Sequence, residues 1–396
     1  MEKEMNKKAS RKVSGFDLAI VIIFCAFIFL SGILTVALPD REFSDNENTV
    51  LTTLSDVFEG NVVNKLFSGE LFDMAGDYFR HQFPLRDGML QLRALADAAL
   101  VRYETGGVIY GAGGYLIPRE DNASTAFVNG NAAAINALCT ALEKDGVETV
   151  FALVPRPCDV LQKFYPSAYT AEPLEKVRDI ILETAPALDL APVLKNAVDK
   201  GEYVYYKTDH HWTSYGAYLA YCEIMRELGK EPLPLEAFER ETVSTEFYGT
   251  SHSSVMSPLV TPDTVEFFHL KNGGEYVTEV ANSPVVFDGF YSRAFLDTKD
   301  KYSAFLGGNF GLVRVTEKNG EGREKLLIVK DSYANCAVQF LALHYDLLIV
   351  DPRYYRESVY KLAIEENADK LLVLCGTDGL TDANTYLVLN FGLPEE

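Results

Sequence analysis

Histidine and tryptophan are scarce in this 396-residue chain, which has six of the first and one of the second. Cysteine is hardly commoner: Cys25, Cys139, Cys158, Cys222, Cys336 and Cys375 are scattered, with no CxxC pair and no zinc-ligand spacing. The fold therefore requires no disulfide framework, and buried free thiols are expected. Basic residues are outnumbered, 36 Lys and Arg against 57 Asp and Glu, for a formal charge of −21. Phosphate binding depends on clustered Lys and Arg, so this balance argues against nucleic acid or another anionic polymer as the main partner. Internal repeats and low-complexity tracts are also missing. With 48% hydrophobic and 23% charged residues, the chain is not disordered and can bury a large core.

One long apolar run is present. Residues 18–38 carry no charge, and about 20 such residues cross a ~30 Å hydrocarbon layer as a helix. Lys3, Lys7, Lys8, Arg11 and Lys12 precede the run against Glu2 and Glu4. A cleavable signal has an apolar part of about 7–15 residues and a small-residue cleavage site. "TVALPDREF" offers no convincing one. The expectation is a cytoplasmic basic tail over 1–15, an uncleaved transmembrane anchor over 16–38 and an extracytoplasmic remainder.

Residues 39–105 read as a membrane-proximal helical segment. Val62, Leu66, Leu71, Met74, Ala75, Tyr78 and Phe79 recur at helical spacing, which predicts one helix over 61–83. Pro84 disfavours helix at Phe83, and a second helix is expected over 89–101. "GGVIYGAGGYLI" then reads as turns joining short strands. From 106 to 396 the pattern is α/β. "ETVFALVP" is a strand, and "KLLIVKDSYANCAVQFLALHY", "DLLIVDPRYYRESVYKLAIEENAD" and "KLLVLCG" read strand, helix, strand, helix, strand. Near-continuous Leu, Ile and Val imply a parallel sheet buried on both faces, with functional groups at the carboxyl ends of its strands.

Two stretches carry candidate chemistry. "YYKTDHHWTSYGAY" (205–218) holds two of the six histidines, an aspartate and the lone tryptophan. In an extended segment alternate side chains face one way, so Asp209 and His211 pair while His210 and Trp212 point elsewhere. A carboxylate fixes the tautomer of an imidazole that acts as a serine's general base. Ser332, in "LLIVKDSYANC", falls at the carboxyl end of a buried strand where a helix begins, and it completes a Ser332, His211, Asp209 triad. Capping by Asp331 and Ser332 is the plain alternative. A metal site is another, because His and Asp also ligate zinc or manganese. The DHH-type phosphodiesterases share the DHH string and bind manganese, but they also use an Asp-x-Asp motif, which this chain lacks. Packing without catalysis stays open.

Two further groups are candidates for oxyanion or substrate binding. In "FLGGNFG", Gly308 and Asn309 offer backbone and amide donors to a developing oxyanion, or simply form a turn. In "VDPRYY", Arg353 and Tyr354 fall at the same sheet edge, where Arg353 either meets a substrate oxygen or pairs with an acid.

"TDHHWTSYGA" (208–217), "LGGN" (306–309), "VKDSYAN" (329–335) and "VDPRYY" (350–355), with weaker echoes in "FSDNEN", "FPLRD", "GVIYGAGGYLI", "LVPRP" and "FYGTSHSS", resemble the DHHW family. That family is related to the alginate O-acetyltransferases of the AlgX and AlgJ type. The resemblance implies a permuted SGNH hydrolase-like domain with a parallel sheet flanked by helices. It carries the Asp-x-His-Trp pair onto Asp209 and His211 and the nucleophile onto Ser332, with no role for His210. It implies acyl transfer at the cell surface without a cofactor: a membrane-bound O-acyltransferase partner exports the acyl group, and the serine enzyme passes it to a polysaccharide hydroxyl. A carbohydrate esterase with the same triad and a non-catalytic glycan-binding or scaffold protein remain alternatives. Arg156 stands where a lysine is common in the family, and no carbohydrate-binding module of the AlgX type is recognisable.

Overall fold

A computed structural model describes residues 14–394 except 45, 48, 120–123, 168, 170–174 and 382. The basic tail expected over 1–15 lies almost entirely outside the described residues. The chain divides into two compact units, Met1–Arg93 and Ala94–Glu396.

The first unit opens with α1 (Gly15–Ala37), started by a capping box between Ser14 and Asp17. It is long and apolar enough to cross a membrane. A two-stranded ribbon follows, β1 (Phe43–Ser44) with β2 (Thr49–Val50). Then come α2 (Leu54–Phe58), α3 (Val62–Ser68) and α4 (Glu70–His81). The single helix expected over 61–83 is therefore two. Gly69 adopts a left-handed conformation (φ 87°) and ends α3 before α4 begins. α5 (Arg86–Ala99) starts after Pro84, earlier than the expected 89.

In the second unit β3 (Glu104–Thr105), β4 (Val108–Tyr110) and β5 (Leu116–Pro118) form a small antiparallel sheet. The alternating region runs α6 (Thr125–Lys144), β6 (Glu148–Val154), α7 (Pro157–Val160), α8 (Glu175–Thr184), β7 (Leu188–Asp189), α9 (Ala191–Asp199) and α10 (Ser214–Glu227). A bulged ribbon of β8 (Phe238–Phe247) and β9 (Asp263–Leu270) encloses α11 (Thr250–Val255). Next come β10 (Tyr276–Val280), β11 (Val286–Asp288), β12 (Leu312–Glu317), β13 (Lys325–Lys330), α12 (Tyr333–Leu341), β14 (Asp346–Val350), α13 (Val359–Glu365) and β15 (Lys370–Gly376).

The main sheet has eight strands in the order β11-β10-β12-β14-β13-β15-β6-β7. From β14 to β7 the neighbours are parallel, as the sequence implies; β12, β10 and β11 add an antiparallel extension that the apolar pattern did not reveal. Side chains alternate between the two faces. Leu326, Ile328, Leu372 and Leu374 pack with α9, α10 and α12, whereas Leu327, Val329, Leu371 and Val373 pack with α6 and α13. The chain leaves β13 for β14 on one side, then returns to β15 on the other. Such a switch point opens a crevice at the carboxyl end of β13. Ser332 lies at that crevice.

Candidate active site

Asp331 and Ser332 form the turn between β13 and α12. Asp331 does the local bonding: Oδ1 accepts from the Tyr333 N–H (3.0 Å) and Oδ2 from the Gly376 N–H (2.6 Å). Ser332 is the N-cap residue of α12, yet its side chain makes no cap bond. The hydroxyl instead meets His211 Nε2 at 2.8 Å. On the other side of the ring, His211 Nδ1 lies 2.6 Å from Asp209 Oδ1. A carboxylate only accepts, so Nδ1 carries the proton and Nε2 is the acceptor facing Ser332.

The Asp209 and His211 pairing arises from a turn rather than from strand alternation. The His211 N–H also donates to Asp209 Oδ1 (2.9 Å), an Asx-turn that folds the carboxylate back over residue 211. His210 consequently does not point away: its ring lies 3.8 Å from that of His211, and its Nδ1 contacts Thr250 Oγ1 at 2.7 Å. Trp212 is fully buried, and its Nε1–H donates to the Tyr333 carbonyl (3.0 Å), which ties the histidine segment to α12. For Trp212, packing is the correct reading.

Sequence reasoning missed three residues that hold the pair. Thr250 donates to Asp209 Oδ2 through both its N–H (2.8 Å) and its hydroxyl (3.1 Å). Gly249 allows that approach, since a Cβ there would stand 2.2 Å from Asp209 Oδ2. Tyr302 stacks on His211 at 3.7 Å between ring centres, and its hydroxyl donates to the Ser332 carbonyl (3.1 Å). The echo "FYGTSHSS" was the available signal for the first two. Tyr302 had none.

Electrostatics suit a base. Burial pushes the His211 imidazole down to about 4, the His210 charge adds to this, and Asp209 opposes it, so the ring is neutral at pH 7. Burial alone would raise the Asp209 carboxyl. The His211 and His210 charges, with hydrogen bonds from His211 and Thr250, outweigh it and hold the group below the usual carboxylate range. Asp331 is pushed up to about 7 by burial and by the charge of Asp378.

Gly308 and Asn309 reach the site through a buried lysine. Lys330 Nζ donates to Asn309 Oδ1 and Asn335 Oδ1, each at 2.7 Å, and lies 3.5 Å from Asp351. Asn335 Nδ2 donates to the Gly308 carbonyl (3.4 Å) and to Asn309 Oδ1 (3.2 Å). With Oδ1 so occupied, the Asn309 NH2 is the part left for other partners. Burial lowers the Lys330 ammonium to about 8 against the pull of Asp351. Arg353 makes a two-point pair with Asp351 (2.9 and 2.6 Å), and it also lines a cavity of about 240 Å³ with Ser332, His210, Asp378 and Tyr386. Tyr354 is exposed beside Arg353 and is not part of that lining. Arg156 is buried and paired with Asp159.

The cluster of Asp209, His210 and His211 has metal-ligand chemistry within 4.8 Å. Both His211 nitrogens are already engaged, one by Asp209 and one by Ser332, so ligation by that ring would break the hydrogen-bond chain. The donor set fits a triad better than a cation. A larger groove of about 510 Å³, lined by Tyr276, Phe290 and Arg293, includes none of the triad residues.

Residues 194–350 match the family model described as DHHW protein. The matched span contains Asp209, His211, Gly308, Asn309 and Ser332, and it ends just before Arg353. Solved structures are similar across most of the chain. A DHHW family protein from Eubacterium siraeum is 21% identical, with 74% of this chain and 98% of that one covered at a TM-score of 0.58. PatB1 of Bacillus cereus is 20% identical, with 70% and 98% covered at a TM-score of 0.60. The O-acetyltransferase domain of Pseudomonas putida AlgJ aligns less well, at 16% identity, 70% and 93% coverage and a TM-score of 0.44. No curated protein matches the chain. The DHHW likeness thus rests on the motif-bearing span and on the fold.

Proposed function

We propose that the protein is a membrane-anchored extracytoplasmic O-acetyltransferase that moves an acyl group through Ser332 to hydroxyls of a cell-surface or exported polysaccharide. The observation carrying this reading is the chain of hydrogen bonds from Ser332 Oγ through His211 to Asp209, with the ring neutral at pH 7. The DHHW match, through the family resemblance, and the place of Ser332 between β13 and α12 at the sheet's switch point support the reaction class. In the reading, α1 is the anchor, and a membrane-bound O-acyltransferase supplies the acyl group from the other side of the membrane.

The reaction takes two steps. His211 Nε2 accepts the Ser332 proton while Oγ attacks the carbonyl of the acyl donor; the donor's leaving group departs with that proton and an acyl-enzyme remains. An acceptor hydroxyl then gives its proton to Nε2 and attacks the acyl carbon, and Ser332 Oγ leaves with that proton, restoring the neutral ring. The Ser332 N–H at the start of α12 and the Asn309 NH2 are the candidate donors to the oxyanion, whereas the Gly308 N–H already donates to the Phe305 carbonyl (3.5 Å). Arg353 and Tyr354 are candidates for holding the acceptor. A cavity of about 240 Å³ suits a small acyl group. Ser332 is only partly buried, which favours one second reading: water takes the place of the sugar, and the protein is a carbohydrate esterase.

The test is mass spectrometry of the full chain after incubation with an activated acetyl ester. The expected result is an acetyl group on Ser332, absent from Ser332→Ala and transferred when candidate sugars are added. Release that no sugar diverts would favour the esterase. Absence of any acyl-enzyme and of ester turnover would move the protein to the glycan-binding or scaffold class.

A further inference from the structure

The first unit leaves its apolar side chains uncovered. Among its described residues after α1, the large apolar side chains that are fully buried are Leu51, Val57 and Tyr78. Phe67, Phe72 and Leu85 are 86%, 68% and 81% exposed, and Phe58, Val63 and Leu92 are exposed as well. They fall in stripes: Val63 and Phe67 lie four apart on α3, Phe72 and Phe79 two turns apart on α4, and Met89 and Leu92 three apart on α5. Exposed apolar side chains repeated at helical spacing on three successive helices mark an interaction site.

The contacts with α1 indicate what covers it. The Tyr78 hydroxyl donates to the Thr35 carbonyl (3.0 Å) near the end of α1, and the Phe83 ring lies 6.2 Å from that of Phe27. Phe27 precedes Ala37 by ten residues, or about 15 Å of helix. The turn between α4 and α5 therefore comes back alongside α1 instead of continuing beyond its end. Beside a helix that crosses a ~30 Å hydrocarbon layer, that turn lies within the layer.

The polar groups around that turn are paired, whereas Glu59, Glu70 and Asp73 elsewhere in this unit are exposed. The Gln82 amide exchanges two hydrogen bonds of 2.9 Å with the Arg41 backbone and donates a third to the Thr52 carbonyl (2.9 Å). Arg86 pairs with Glu47, and Arg41 with Asp87 at 3.5 Å. Charges inside a membrane persist when paired in this way.

We propose that residues 54–92 are embedded in the outer leaflet, with their exposed apolar stripes against lipid acyl chains and the Phe83 turn sunk beside α1. The inference rests on the reading of α1 as a membrane span. Residues 39–93 carry twice as many acidic as basic side chains, so the attraction is apolar and does not depend on anionic lipid.

The experiment uses the full chain in phosphatidylcholine vesicles, with Cys25→Ser to remove the exposed thiol; the other five cysteines are buried. Phe67→Cys, Phe72→Cys and Leu92→Cys are each labelled with bimane, and Phe29→Cys on α1 serves as the control. Brominated acyl chains are expected to remove half or more of the intensity at 67, 72 and 92, as at 29, while aqueous iodide leaves it and added anionic lipid changes nothing. Quenching by iodide would overturn the proposal. So would protection from both quenchers, which would mean that protein, either the second unit or a partner, covers the stripes. A control at 29 that brominated lipid fails to quench would instead defeat the anchor reading itself. Photoactivatable phosphatidylcholine on the unsubstituted chain gives a second test: cross-links within 54–92 are expected, and their confinement to α1 would refute the embedding.

Discussion

The two units use the same residue types and treat them oppositely. In the second, alternate strand residues are sorted to the two faces of a sheet and covered by helices on both, so that Leu326 and Leu327, neighbours in sequence, belong to different and equally dry cores. In the first, helices with equally regular apolar spacing leave most of those residues uncovered by protein. Among the described residues, and beyond α1, this short unit exposes more large apolar side chains than the whole of the much longer second one. A periodic pattern specifies a helix, and it does not specify what lies against its face.

The largest expected effect contrasts the two environments. Leu327→Ala, in β13 with no exposure, should cost about 2–5 kcal/mol of stability by opening a cavity. Phe67→Ser, on the exposed side of α3, should change stability in detergent by no more than about 0.5 kcal/mol. Chemical denaturation of the full chain measures both. A Phe67→Ser loss as large as that of Leu327→Ala would mean that protein covers the stripe, and the contrast between the units would vanish.

Much of the second unit was legible, for a physical reason. A strand buried on both faces must be apolar at nearly every position, so "KLLIV", "DLLIV" and "KLLVLCG" announce the parallel sheet, and the turn after the first displays Ser332. The antiparallel strands β10 and β11 lie at the edge of the sheet with mixed composition, and no pattern distinguished them from loop. Asp209 and His211 were legible because they lie within three residues. Alternation is not what brings them together: an Asx-turn folds the carboxylate back over residue 211. Thr250 and Tyr302 join from about 40 and 90 residues away, and no local pattern encodes a contact of that range. Gly69 was legible as a residue but not as a break, because the apolar spacing continues across it.

Tight burial around the triad predicts the next effect. Gly249→Ala brings a methyl within 2.2 Å of the Asp209 carboxylate and 2.3 Å of its Cβ, too close for either to stay in place. Displacing the carboxylate turns the imidazole away from Ser332, and misplacement on the ångström scale costs about 10²-fold in rate. Ester turnover should fall by about that factor while the denaturation midpoint moves little. Unchanged turnover would mean that the base does not depend on the anchorage of Asp209 by Thr250.

The smallest effect is a shift of pH dependence, and its sign follows from the state of the base. In the proposed reaction only neutral His211 can take the Ser332 proton, so protonation of the ring would end activity. A solvated histidine titrates near its ordinary value of about 6.5, whereas burial, joined by the His210 charge, pulls His211 down to about 4. Turnover per folded molecule should therefore stay level as pH falls from 7 through 5 and drop only as it passes about 4. His210→Asn removes one of the two lowering influences and should move that acidic limb upward, toward 6.5, without abolishing turnover at neutral pH. An acidic limb already near 6.5 in the unsubstituted protein would mean that water reaches the ring. The base would then lack the dry, protein-built surroundings that set the second unit apart from the first.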